Sequence, residues 1–236
     1  MIIVGLDCAT KPKDIGLARA VLGETLRVEE ARVASSAADV VDTIVAWLGD
    51  AKDGLFAIDA PLGWPAPLAD TLRTHRAGAP VAPEANAIFR RHTDRVIHQR
   101  VKKLPLDVGA DRIARTAHAA LQILDDVRAH VDVAMGWSPG EVQGRQVIEV
   151  YPAAALKTRG VRASGYKRPE HTAEREEILD GLGLVIDAEL RSRAIATDHV
   201  LDAIVCTLAG ADYATGRAVP PDDLLLAQRE GWIWSR

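Results

Sequence analysis

Only two cysteines, Cys8 and Cys206, occur in 236 residues, too few and too far apart for a disulfide framework or a zinc site. Both are expected to be buried free thiols, the usual state of an unpaired cysteine. No apolar run approaches the length of a membrane span, and the N-terminus lacks the basic region and cleavage site of a signal peptide. No membrane partner is therefore expected, and the cytoplasm is the compartment implied. Positive charge is not in excess: 29 Lys and Arg against 33 Asp and Glu give a net charge of −4. That excludes a protein that coats nucleic acid non-specifically, although a local basic groove stays open. Internal repeats and low-complexity segments are missing as well. What is present is 48% hydrophobic residues, ample for a buried core, and the patterning along 1–236 reads as a single α/β domain.

The chain opens on a short apolar run that ends in one carboxylate, Asp7. A run this short and rich in Ile and Val predicts a strand buried on both faces, with Asp7 where it leaves the core. Residues 15–22 and 26–33 read as two more strands, and the three-residue turn Gly23-Glu24-Thr25 makes them an antiparallel hairpin. From Ser36 the spacing of Val40, Val41, Ile44, Val45 and Leu48 predicts an amphipathic helix capped by Ser35 or Ser36. Residues 54–60 form another apolar run ending in an acid, Asp59, just before Pro61. A helix between strands of one sheet implies a crossover, hence a fourth strand parallel to the first. If these strands are neighbours, Asp7 and Asp59 end at the same edge.

Residues 64–111 differ. Five prolines fall here, together with Arg90, Arg91, Arg95, Arg100, Lys102 and Lys103, opposed between positions 90 and 103 only by Asp94. We read an insertion of short helices and loops that covers the sheet edge, its charge being either a solvated face or a phosphate-binding one. A helix follows over 110–130, a loop over 137–144 and a fifth strand over 146–150, which contains Glu149. The remainder is helical over 172–182, 188–193 and 198–213. The last helix has Thr197 as its cap and Leu201, Ile204, Val205 and Leu208 as its buried stripe. The tail Gly231-Trp232-Ile233-Trp234 is expected to be extended, with its tryptophans on the body.

Four carboxylates stand beside apolar sequence, where an acid is costly unless paired, hydrogen-bonded or bound to metal: Asp7, Asp59, Glu149 and Asp202. Asp198 is a fifth, one helical turn before Asp202. Crowded carboxylates repel, and Mg²⁺ or Mn²⁺ would neutralise them through oxygen ligation. A pair of such ions can clamp the attacking water and the leaving oxygen of a phosphodiester. Each acid also admits a structural role. Asp198 can cap or complement its helix, Asp59 can order the turn at Pro61, and Glu149 can pair with a basic residue such as Arg91. The decisive quantity is whether the carboxyl groups of Asp7, Asp59 and Asp202 approach within about 4–7 Å, as shared ions require.

The motifs Gly5-Leu6-Asp7-Cys8-Ala9, Ile58-Asp59-Ala60-Pro61-Leu62-Gly63, Arg91-His92-Thr93-Asp94-Arg95, Glu149-Val150-Tyr151-Pro152, Tyr166-Lys167, Asp198-His199-Val200-Leu201-Asp202-Ala203 and Gly231-Trp232-Ile233-Trp234 resemble, in order, those of the DUF429 family of predicted RNase H-like nucleases. The resemblance implies a central mixed five-stranded sheet with its second strand antiparallel, flanked by helices. It implies acids on the first strand, at the end of the fourth and on a late helix, here Asp7, Asp59 and Asp202. The segment from His199 to Ala203 is also similar to the last-helix motif of Holliday-junction resolvases of the RuvC type, which makes His199 an acid–base or phosphate contact. The roles of Glu149 and Asp94 rest on the DUF429 resemblance alone, and Tyr166 and Lys167 enter as substrate contacts or surface residues.

The expectation is a Mg²⁺- or Mn²⁺-dependent nuclease. Asp7, Asp59 and Asp202 would be ligands, with Asp198 or Glu149 supplementary, and Arg91, Arg95, Lys102 and Lys103 would hold phosphates. Nucleic acid is the partner, and a homodimer is left open. Two rivals are a non-catalytic metal- or nucleic-acid-binding module of the same fold and an actin-like phosphotransferase. The second is disfavoured because no glycine-rich phosphate loop follows Cys8-Ala9-Thr10-Lys11-Pro12 and no duplicated half is visible.

Overall fold

The computed structural model describes residues 1–49, 51–109 and 111–236. Its centre is a six-stranded mixed sheet of order β3-β2-β1-β4-β6-β5. The strands are β1 (Ile2–Asp7), β2 (Gly16–Leu22), β3 (Leu26–Val33), β4 (Gly54–Asp59), β5 (Ala134–Met135) and β6 (Arg145–Glu149). The antiparallel hairpin of β2 and β3 and the antiparallel pairing of β2 with β1 follow the sequence reading. So does the parallel pairing of β4 with β1, which the crossover helix α1 (Ala37–Gly49) imposes. The sheet has one strand more than the five expected. The addition, β5, is a two-residue edge strand paired with β6, too short to leave an alternation in the sequence.

Alternation along the strands divides the core in two. Ile3 on β1, Leu55 and Ala57 on β4, and Ile148 on β6 meet α9 (Asp198–Ala214) and its neighbours α6 (Pro152–Lys157), α7 (Thr172–Gly181) and α8 (Ala188–Ala196). Val4, Leu6, Phe56, Ile58 and Val147 meet α1 and α5 (Asp111–Arg128) on the other side. A start of α5 at position 110 lies outside the described residues. Side chains two apart share a face, so Asp7, in phase with Ile3, and Asp59, in phase with Leu55 and Ala57, leave the sheet toward α9.

Helix α9 is buried on more than the single stripe expected, with every residue from Val200 to Tyr213 in the interior. It lies directly on β1 and β2 because both strands carry glycine beneath it. A Cβ on Gly5 would stand 2.1 Å from the carbonyl oxygen of Ala203, and one on Gly16 would stand 1.9 Å from that of His199. Thr197 caps the helix, its Oγ1 accepting from the backbone N–H of His199 at 3.3 Å.

Residues 64–111 hold α2 (Ala66–Leu72), α3 (Ala85–Phe89) and α4 (His92–Val101). A last helix, α10 (Leu224–Glu230), precedes the tail, where Trp232 and Trp234 are buried and Ile233 forms a parallel bridge to Glu149. No single helix among the described residues is long and apolar enough to cross a membrane. Cys8 and Cys206 are buried free thiols.

Candidate functional site

Asp7 and Asp59 are register partners at the ends of adjacent parallel strands. Asp202, on the second turn of α9, completes the set: one carboxylate oxygen from each of the three lies within 4.8 Å of the other two. The glycine contact between α9 and β1 produces this approach, since Gly5 lies two residues before Asp7 and its counterpart Ala203 one residue after Asp202.

Two acids of the trio, Asp7 and Asp202, are held by other groups of the chain. Asp7 Oδ2 lies 2.8 Å from His199 Nδ1. Asp202, fully buried, accepts from the phenol of Tyr166 at 2.8 Å through Oδ1, and its Oδ2 lies 2.6 Å from Lys167 Nζ. Asp7 therefore has a partner within the protein, His199, besides any ion. Burial is the main cause that lifts the Asp7 carboxyl to about 6; the charge of Asp202 adds to the rise, and His199 and Lys167 oppose it. Asp59 is raised well above the carboxylate range by burial and then by Asp7. The hydrogen bond to Asp7 raises His199. Desolvation works against the charge on Lys167, but Asp202, Asp59 and Asp7 outweigh it and raise its pKa. The Lys167 side chain nonetheless keeps 58% of its surface exposed.

The loop that delivers Tyr166 and Lys167 is fixed by Arg175, a fully buried guanidinium of α7. It donates to the carbonyls of Tyr166 at 2.6 Å, Arg168 at 2.8 Å, Pro169 at 3.0 Å and Ile195 at 2.6 Å. Nothing in the sequence separates Arg175 from the charged run Glu174-Arg175-Glu176-Glu177 in which it stands.

The other expected site residues lie elsewhere. Glu149 is the register partner of Ile58, one residue out of phase with Asp59, so its side chain leaves the sheet on the opposite face. There it receives a bidentate pair of hydrogen bonds from Arg91, at 2.7 and 2.8 Å, and one from the backbone N–H of Leu62 at 2.9 Å. Arg91 is 1% exposed and also binds Asp94, 0% exposed, at 2.9 Å. Arg91 and Asp94, expected at substrate, are thus enclosed in the interior, where one guanidinium is shared between the Asp94 and Glu149 carboxylates, and burial leaves Glu149 raised. Arg95 is exposed and donates to the carbonyl of Arg90, and Lys102, also exposed, is the left-handed C-cap of α4. Asp198, at the first position of α9, is outside the carboxylate trio. Of the basic cluster, Lys103 and the already paired Arg91 reach the cavity that the acids line.

That cavity has a volume of about 650 Å³ and brings Asp7, Asp59 and Lys167 together with Cys8, Tyr151 and the run Leu104-Pro105-Leu106. Burial raises the Cys8 thiol, which disfavours a thiolate there. No curated protein and no solved structure matches the chain. A family model described as "Protein of unknown function (DUF429)" matches residues 5–224. That span takes in β1 with Asp7, β4 with Asp59 and α9 with Asp202, so the site as well as the fold falls within it, and the chain belongs to the DUF429 family.

Proposed function

We propose that this protein is a divalent-metal-dependent phosphodiesterase acting on nucleic acid, with Asp7, Asp59 and Asp202 as the ligands of Mg²⁺ or Mn²⁺. The observation that carries the reading is the convergence of three carboxylates from β1, β4 and α9 within 4.8 Å. Oxygens bound to Mg²⁺ at about 2.1 Å stand roughly 3.0 Å apart when adjacent and 4.2 Å when opposite, so a shared ion would draw these side chains somewhat closer together. An all-oxygen donor set is the one hard cations take. Bound there, the ion would acidify a water and polarise a phosphoryl oxygen.

The chain's own residues supply the rest. Asp7, once ionised, accepts from His199 Nδ1–H and leaves Nε2 to exchange a proton with water or with the departing oxygen. Lys167 balances charge at Asp202 and, by virtue of its exposure, can turn toward a substrate phosphate. In the hydrolysis a water oxygen bonds to phosphorus, the ester P–O bond breaks, and the proton lost by water ends on the leaving alkoxide. The test is purified protein with Mn²⁺ on RNA, DNA, hybrid and branched substrates. Asp7→Asn is expected to lower turnover by at least about 100-fold, and full activity in that variant would refute the assignment.

One observation favours a second reading, a binding module without turnover. Lys167 already places a positive charge 2.6 Å from Asp202, so the site is partly neutralised without an ion. Calorimetric metal binding with no hydrolysis of any substrate would support it.

A further inference from the structure

The cavity over the carboxylates is the size of a small-molecule pocket, about 650 Å³. Beside the acids it presents Leu104 and Leu106, 37% and 70% exposed, and the partly buried ring of Tyr151, which packs against Ile97, Val101, Ala154 and Ile233. Apolar surface left open next to a charged centre suits a ligand with an anionic end and a flat apolar face.

Its cations are few. Arg90 is bonded to Asp107, Arg91 is enclosed with Glu149 and Asp94, and the lysines lining the cavity among the described residues are Lys103 and Lys167, the latter paired with Asp202. Proteins that grip a duplex through its backbone do so by neutralising phosphates with several lysines and arginines. Two lysines beside the three acids Asp7, Asp59 and Asp202 leave the cavity itself without that positive charge. Unpaired bases are held differently, by stacking on aromatic and apolar side chains with modest help from charge.

We propose, resting on the phosphodiesterase reading, that the site takes one unpaired nucleotide unit at a time, from a single-stranded end or a short oligonucleotide. The scissile phosphate lies at Asp7, Asp59 and Asp202, and the base lies against Leu104, Leu106 and Tyr151. Each event consumes one water and one P–O ester bond and leaves a phosphate monoester on one product and a hydroxyl on the other.

The experiment compares a dinucleoside monophosphate, thymidylyl-thymidine, with single-stranded and blunt duplex DNA of one sequence, using the full chain. Saturation-transfer NMR in Mg²⁺ is expected to show contact to the thymine protons. Hydrolysis in Mn²⁺ is expected to be at least about tenfold faster on the unpaired substrates. Leu106→Asp should weaken dinucleotide binding by about tenfold, Leu106→Met should restore it, and Mn²⁺ affinity by calorimetry should be the same in both. Equal hydrolysis of duplex and single strand, or no transfer to the base protons while DNA is cleaved, overturns the substrate assignment and leaves the phosphodiesterase reading standing. Absence of hydrolysis on every substrate overturns both.

Discussion

At the scale of single residues, the titration of Asp7 links protonation to stability. Its carboxyl rises from 3.8 to about 6, chiefly through burial, in a setting that also holds His199, Asp59, Asp202 and Lys167. A folded state that binds a proton the unfolded chain has released gains stability from it. That contribution is complete below pH 3.8 and is lost as pH climbs through about 6. His199, also raised, acts in the same direction. The metal-free protein should therefore lose Tm as pH rises from about 5 to 7. Metal ligation needs Asp7 and Asp59 ionised, and both are raised, so the increment in Tm from Mn²⁺ should be smaller near pH 5 than at pH 7 and above, where a hundredfold excess over Kd is worth roughly 2.7 kcal/mol. Scanning calorimetry at both pH values with and without Mn²⁺ decides it, and an increment independent of pH would count against ligation by Asp7.

At the scale of elements, the site depends on how closely α9 lies on β1. Adding one methyl at Gly5 places it 2.1 Å from the Ala203 carbonyl, a contact with backbone that no rotamer change relieves. Gly5→Ala should force α9 outward, cost about 1–3 kcal/mol or more, and weaken Mn²⁺ binding through separation of Asp202 from Asp7. Denaturant unfolding and metal titration on the same variant measure both effects. A variant with wild-type metal affinity would show that α9 position and the carboxylate cluster are uncoupled. Parity along the strands accounts for which acids were legible in the sequence. Asp7 and Asp59 both terminate apolar runs, and parallel pairing with β1 and β4 in register places them side by side. Glu149 ends a similar run, but the register of β6 against β4 is invisible in the sequence, and a shift of one residue sends it to the other face. Asp198 and Asp202 stand one turn apart, and only the latter joins the carboxylate trio, beside the contact of Ala203 with Gly5 on the strand that carries Asp7.

Across the whole molecule, Arg91 and its partners join segments far apart in the chain. The guanidinium binds Asp94 on α4 and Glu149 on β6, and Glu230 of α10 accepts from the backbone N–H groups of Ala66 and His92. Ile233 N–H donates to Thr93 Oγ1, and Trp234 N–H to the Glu149 carbonyl. Arg91→Met would strand two carboxylates in the interior and should cost about 3–5 kcal/mol, read as a lower denaturation midpoint. An unchanged midpoint would mean the network is dispensable. In the sequence these residues belong to a charged stretch that reads equally well as a phosphate-binding surface, because charge alone does not tell a solvated or ligand-facing arginine from a buried, paired one. The main strands and α9 were legible from periodicity, whereas α6, an alanine run opened by Pro152, and α10, which leaves Leu225 80% exposed, offered no comparable stripe.

The contact between His199 and Asp7 spans 192 positions, and this has a consequence for the order of events during synthesis. Strand β1 leaves the ribosome before α9, yet its carboxylate meets His199 and Asp202 only after α9 has followed. Contacts so distant in sequence form late. The acidic centre therefore stays unassembled while the chain between β1 and α9 is being made.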